Sequence, residues 1–131
     1  MSAALEQPVR DLLEVLVSMD LQVASLERLL TRLSASGIIG SYPEAGAART
    51  AMIATSLALR SHDMLFGTAR DVPAALAHGV SMSDILAQAL GKGADPGRGR
   101  GMPGAITNQR HGVSLTDGNV ASHTVHASGF G

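Results

Sequence analysis

The chain has 131 residues, enough for one ordinary domain with a core, a formal net charge of −1 and no cysteine. The absence of cysteine excludes disulfides, thiol catalysis and thiolate metal sites, and the balanced charge disfavours nucleic acid as a partner. Neither a secretory signal nor a membrane span can be read in the sequence, so we expect a cytoplasmic protein with no membrane partner.

The first predicted element is one long helix. From Leu5 to Leu33 the apolar residues recur in alternating steps of four and three, which is the spacing of a single helical stripe. Gly37 supplies a stop signal just beyond it. The stripe could pack on its own domain, or it could form a coiled-coil or subunit interface. The scarcity of aromatic residues favours a partner, so we predict that residues 1–36 form an amphipathic interface helix through which the chain oligomerises.

Residues 37–131 are predicted to form a second unit. Small residues dominate a helix over 44–60, and the apolar run 64–66 reads as a short buried strand. A short helix closed by Gly79 follows. Another helix begins at Ser81, where Asp84 completes a capping box, and ends at Gly91.

The segment after Leu90 changes character. Glycine and proline are dense from about residue 91 to 112, which predicts a flexible loop that is either functional or disordered. Residues 113–120 suit a short strand and turn, and Ser122 suits the cap of a helix in which the sequence stops. The fold class expected from the residues is therefore mainly α, with one or two short strands.

Local motifs give little chemistry on their own. The "GRGRG" stretch occurs once and lacks interleaved aromatic residues, so it does not indicate RNA binding. "GKG" at Gly91 lacks the hydroxyl residue of a phosphate loop. His123 and His126 would share a helix face, but with His111 they do not complete a convincing metal site, and no nucleophile–base pair stands out. We predict no catalytic residue and no metal ligand in this chain.

The ordered series of segments resembles a known family. The segments "TSLAL", "HDMLFG", "ARDVP", "LAHGVSMSDILAQALG", "GRGMPGA" and "GNVASHTVHASGFG" follow one another without large gaps from about Gly37 to the last residue. They resemble the N-terminal third of the alpha subunit of thiamine diphosphate-dependent 2-oxo acid dehydrogenases, the first components of the pyruvate, branched-chain and acetoin complexes. The resemblance implies the N-terminal portion of an α/β thiamine diphosphate-binding fold.

The resemblance also implies roles for particular residues. Arg70 matches an arginine that contacts the cofactor diphosphate, and Gly118 and Val120 fall where the family's backbone meets the aminopyrimidine ring. Two further sets follow from it. Asp117, Ser122 and His123 fall around a monovalent-cation or structural site; Arg98, Arg100, Met102 and Pro103 fall on the mobile loop that closes the active-site entrance.

Several positions depart from the family pattern. The family's tyrosine before the arginine is Ala69, its His-Gly pair is Val72-Pro73, its active-site histidine is Ala105, and its Gln-Glu-Ala helix start is 48–50, Ala-Arg-Thr. The family's Gly-Asp-Gly…Asn motif, which holds Mg²⁺ on the cofactor, does not occur in the 131 residues.

The resemblance therefore predicts an alpha-type subunit or fragment that supplies a diphosphate contact and a loop. A beta-type subunit, or a chain carrying the Gly-Asp-Gly motif, would complete the site for thiamine diphosphate and Mg²⁺. Two alternatives remain open at this point: a degenerate, non-catalytic homologue that acts as an assembly or binding module, and a truncated gene product without a settled activity.

Overall fold

The computed structural model describes residues 3–95, 97–116, 119 and 121–130. Within them the chain is mainly helical around a small sheet, as the sequence predicts. The helices are α1 (Ala3–Ala35), α2 (Arg49–Leu57), α3 (Val72–Ala77), α4 (Met82–Ala89) and α5 (Ser122–Phe130); the strands are β1 (Leu65–Gly67), β2 (Thr107–Asn108) and β3 (Val113–Leu115). Short 3₁₀ turns occupy Gly46–Ala48 and Gln109–His111.

Helix α1 runs without a break for 33 residues, about 50 Å at 1.5 Å per residue. Its end is a glycine stop of the Schellman type. Gly37 adopts φ 71°, its N–H donates to the Ser34 carbonyl, and the N–H of Ile38 donates to the Leu33 carbonyl, both at 3.0 Å. The predicted stop at Gly37 is confirmed.

The same chemistry bounds α3 and α4. Gly79 and Gly91 follow these helices with φ 105° and 60°. At each of them the backbone forms the same pair of Schellman hydrogen bonds as at Gly37. At the start of α4 the Ser81 hydroxyl accepts from the N–H of Asp84 at 3.1 Å, so the predicted cap is present. Local sequence signals thus predicted the C-terminal ends of α1, α3 and α4 and the start of α4, whereas the helix predicted over 44–60 is shorter, Arg49–Leu57.

The apolar stripe of α1 is divided between two environments. Val23, Leu26 and Leu30 are buried against the rest of the chain. The N-terminal half instead carries an exposed set that we call the α1 apolar surface: Val9, Leu12, Leu13, Val15, Val17 and Leu21. The predicted stripe therefore packs on the core from Leu16 onward, whereas its members Val9 and Leu12 and an adjoining apolar face are exposed in this chain.

An ion-pair cluster joins α1 to α2. The Arg49 guanidinium contacts both carboxylate oxygens of Asp20, each at 2.9 Å, and lies 3.4 Å from Glu27. Glu27 is buried, and its other oxygen accepts from the N–H of Ala45 at 2.8 Å. The hydrogen bond from Arg49 holds the pKa of Asp20 below its usual value. The arginine that departs from the family pattern at residue 49 thus fixes the helix pair.

The sheet has the order β1-β3-β2. β1 and β3 are parallel, with Leu65 opposite Val113 and Gly67 opposite Leu115, and β2 is antiparallel to β3. Strands β1 and β3 match predicted strands, whereas β2 lies inside the segment predicted as loop. Two residues are too few to leave a periodic signal in the sequence.

The core lies between the C-terminal half of α1, helices α2 to α4 and the sheet. Its fully buried large side chains include Leu30, Ile53, Val72, Ile85 and Leu115. None of the helices in the described ranges is long and apolar enough to cross a membrane.

Candidate functional site

The parallel pairing of β1 with β3 brings two chain segments to one edge of the sheet. The N–H of Thr116 donates to the Gly67 carbonyl at 3.1 Å, so both strands finish side by side. The turn 68–71 follows β1 at this edge, and Thr116 follows β3. Ligands of parallel α/β sheets bind at the carboxyl ends of strands, which makes this edge the candidate site.

A hydrogen-bonded turn presents Arg70 at the edge. The carboxylate of Asp71 accepts from the N–H of Thr68 at 2.7 Å and from its hydroxyl at 2.9 Å. The hydroxyl oxygen of Thr68 in turn accepts from the N–H of Arg70 at 3.3 Å. The turn is fixed by its own side chains, and the Arg70 side chain is exposed.

The Gly-Met-Pro-Gly loop docks directly on this turn. Gly104 adopts φ 90°, and a Cβ placed there would lie 2.4 Å from the carbonyl oxygen of Ala69. Only glycine permits so close an approach of two backbones. Ala69, which replaces the tyrosine of the resembled family, is fully buried at this contact.

Gln88 of α4 holds the loop from the other side. Its amide nitrogen donates to the carbonyl of Met102 at 2.8 Å and to that of Gly101 at 3.4 Å. Its amide oxygen accepts from the N–H of Gly104 at 3.0 Å. Because this side chain is buried, it fixes the path of residues 101–104 beside the Arg70 turn.

The glycine-rich stretch before the loop is closed by Asp95. This buried carboxylate accepts from the N–H groups of Gly97 at 2.8 Å and Gly99 at 2.6 Å, while Arg98 adopts φ 53°. Such successive N–H groups could otherwise cradle a phosphate. Since Asp95 already occupies them, an anion at this loop would be bound by the side chains of Arg98 and Arg100.

A cleft of about 540 Å³ opens beside the loop. Gly97, Arg100, Gly101, Ala105, Thr107, Gln109, Leu115 and Thr116 line it. Among the described residues the buried Thr116 hydroxyl has no hydrogen-bond partner, which leaves its donor for a ligand or water. Arg70 lies on the same edge but outside this lining.

The predicted site residues separate into three groups. Arg70, Arg98 and Arg100 are exposed at or beside the edge, and none of them forms an ion pair with a described residue. Of the other loop residues, Met102 is exposed and Pro103 is half-buried. The second group, Asp117, Gly118 and Val120, lies outside the described residues.

The start of α5 carries the remaining predicted positions. Ser122 and His123 are half-buried there. The Nδ1 of His123 is buried with no hydrogen-bond partner among the described residues. Across those same residues no cluster of three or more His, Asp or Glu could hold a metal ion.

Sequence reasoning missed the residues that position the loop, Gln88 and Asp95. Gln88 carries no local signal, because its partners lie 13 to 16 residues further along the chain. Asp95 is a different case: an aspartate followed by Pro-Gly is a turn signal. That pattern could have predicted its capping of Gly97 and Gly99.

The sequence is similar to known proteins of one family. Residues 17–131 match the family model described as "Dehydrogenase E1 component". The 2-oxoisovalerate dehydrogenase subunit alpha of Pseudomonas aeruginosa is 33% identical over 78 residues, which is 60% of this chain and 19% of that relative. The matched segment therefore spans about a fifth of the relative's length.

Proposed function

The chain belongs to the dehydrogenase E1 component family, and from this premise we propose that it is an alpha-type component of a thiamine diphosphate-dependent 2-oxo acid dehydrogenase. Its part in that enzyme is to bind the cofactor diphosphate and to supply the loop beside it. The observation that carries the proposal is the docking of Gly104 on Ala69, directly beside Arg70.

The side chains at the edge fit a diphosphate. Arg70, Arg98 and Arg100 bring guanidinium charges that no described carboxylate neutralises. A guanidinium binds phosphate oxygens through paired N–H donors, and the Thr116 hydroxyl offers a further donor. When bound, thiamine diphosphate supplies the carbon nucleophile and the electron sink for decarboxylation. Arg70 would orient the diphosphate, and the loop would exclude water from the edge.

Magnesium and acid–base groups come from elsewhere in this proposal. Mg²⁺ needs several oxygen ligands in a near-octahedral array, and no described cluster provides them. We assign those ligands to a Gly-Asp-Gly-bearing segment of a partner chain. Ala105 lines the cleft where the resembled family has a histidine, so the proton donor also belongs to another part of the assembly, such as a beta-type subunit.

Reconstituted turnover tests the proposal. The chain would be co-expressed with a beta-type subunit and a Gly-Asp-Gly-bearing chain, and the complex assayed with thiamine diphosphate, Mg²⁺, an artificial electron acceptor and either 2-oxoisovalerate or pyruvate. We expect decarboxylation that requires this chain. Arg70→Ala should raise the cofactor concentration for half-maximal rate by about 10- to 100-fold, because hydrogen bonds to charged groups are lost.

Arg10→Ala is the matched control, since this exposed arginine lies on α1 away from the edge. It should leave the cofactor dependence unchanged. Stable assembly and cofactor binding without turnover would instead identify a non-catalytic homologue. An unchanged cofactor dependence in Arg70→Ala would contradict the role given to Arg70.

A further inference from the structure

A second cleft lies at the opposite, amino edge of the sheet. Residues 60–63 precede β1 and residues 109–112 precede β3, and the N–H of Leu65 bonded to the Gly112 carbonyl at 2.8 Å joins the two segments. Between them and the ends of α2 and α3 is a cleft of about 320 Å³. Its basic side chains are Arg60, His78, Arg110 and His111, and we call it the basic cleft.

Each histidine of the basic cleft uses one ring nitrogen to hold its place. Nε2 of His78 donates to the Asp63 carbonyl at 3.3 Å, since a carbonyl can only accept. Nδ1 of His111 lies 3.2 Å from the Oδ1 of Asn108, which also accepts from the His111 N–H. The rings are therefore positioned by the fold, and each keeps one nitrogen that makes no hydrogen bond with the described residues.

The His111 ring is also fixed by packing. A Cβ added at Gly79 would lie 3.1 Å from its Cδ2, so the glycine leaves just the space that the ring occupies. Gly79 in addition needs its φ of 105° to end α3. One residue thus ends the helix and admits the ring to the cleft.

The lining of the basic cleft contains no carboxylate. Arg60 and Arg110 are exposed and form no ion pair within the described ranges. Two carboxylates are near: Asp63 is 3.8 Å from the neighbouring His62, and Asp84 lines an adjoining cleft with Arg110. The ends of α2 and α3 add partial negative charge, about half a unit each. Their terminal carbonyls are largely engaged by backbone N–H groups, and the two carboxylates lie outside the lining to which both guanidinium groups belong.

We propose that the basic cleft binds a small oxyanion of the phosphate class. Two guanidinium groups provide paired donors for a tetrahedral anion, and the volume suits one such group with part of its hydration shell. The cleft lies at the other end of the parallel strands from the Arg70 edge, and the proposal does not depend on the dehydrogenase activity.

The test is an NMR titration of the full chain with inorganic phosphate, sulfate and glycerol phosphate. Amide shifts should concentrate in residues 59–63, 77–79 and 109–112. The double variant Arg60→Gln/Arg110→Gln should bind at least tenfold more weakly, and Arg10→Gln/Arg32→Gln, which removes two exposed arginines of α1, should bind as the wild type does. Both variants change exposed side chains, so unaltered spectra away from the sites would show that each is folded.

The probes also separate two sources of the ligand. Tighter binding of glycerol phosphate indicates a phosphorylated small molecule, and tighter binding of inorganic phosphate indicates the free ion; either result supports the site. Equal affinity in the wild type and the Arg60→Gln/Arg110→Gln variant, or shifts confined to the carboxyl edge, would overturn the proposal.

Discussion

At the scale of single residues, one buried amide decides where the loop lies. Gln88→Met keeps the size of the side chain but removes its three contacts with residues 101–104. Since the loop N–H and carbonyl groups then lose buried partners, we expect a loss of about 2–3 kcal/mol of unfolding free energy. Hydrogen exchange should quicken at the Gly104 amide. Gln22→Met, at an exposed position on α1, should change neither quantity; unaltered exchange at Gly104 in Gln88→Met would contradict the assigned role.

The Asp20 carboxylate should make the unfolding free energy depend on pH in the acid range. Its pKa is lowered in the folded state, chiefly by the hydrogen bond from Arg49. A carboxyl group whose pKa is lower in the folded than in the unfolded state stabilises the fold at pH values above its unfolded-state pKa, near 4. This stabilisation is lost as the pH falls through the folded-state pKa. Asp20→Asn should therefore destabilise the chain at pH 7 and much less at pH 2.5. Urea unfolding at both pH values measures this, and an equal loss at both would exclude the ion pair as the cause.

The Tyr42 phenol should make the unfolding free energy depend on pH in the alkaline range. Burial raises the pKa of its phenol, and the carboxylates of Glu27 and Glu44 raise it further. A phenol whose pKa is higher in the folded than in the unfolded state stabilises the fold at pH values below its unfolded-state pKa, near 10. This stabilisation is lost as the pH rises from the unfolded-state pKa towards the folded-state pKa. The stability difference between wild type and Tyr42→Phe should be constant from pH 7 to 9 and shift against the wild type by pH 11. A difference independent of pH would show that the phenol ionises equally in both states.

Prediction from sequence succeeded unevenly among the residues. Arg70, Arg98 and Arg100 were predicted from the resemblance of their segments to a known family, and their roles toward a cofactor stay predictions. Gln88 acts through partners whose position depends on how the chain folds back. The role of Arg49 in pairing with Asp20 equally required the packing of α1 on α2.

At the scale of elements, α1 packs on the core along one face and leaves a second apolar face exposed. Leu13, Val17 and Leu21 are each more than half exposed along one face. Burying a leucine-sized side chain contributes about 1.5–3 kcal/mol, so this face favours association with another helix. We expect the chain to sediment as an oligomer, and Leu13→Ser/Val17→Ser/Leu21→Ser to dissociate it without changing the fold. Asp11→Ser serves as the control on the same helix. A wild-type monomer at micromolar concentration without a partner chain would contradict self-association.

The elements also show what periodicity can predict. The long rhythm of α1 and the glycine stops at 37, 79 and 91 gave helices close to those observed. The α1 stripe does not reveal which half is covered, because burial depends on where the rest of the chain packs. β2 was missed because it exists only through pairing with β3.

At the scale of the whole molecule, the parallel pair β1–β3 separates two basic regions. Arg70 and the docked loop lie at the carboxyl edge, and Arg60, Arg110 and two histidines lie at the amino edge. Each edge is formed by segments that precede or follow the same two strands. One small sheet therefore positions both the proposed cofactor contacts and the proposed anion cleft.

Calorimetric titration of thiamine diphosphate with Mg²⁺ tests the central claim most directly. The titration compares this chain alone, its complex with the beta-type and Gly-Asp-Gly-bearing partners, and that complex carrying Arg70→Ala. We predict binding to the wild-type complex, none to the isolated chain, and binding at least tenfold weaker in the variant. Equal affinity in the wild-type and Arg70→Ala complexes, or no binding to either, would contradict the account.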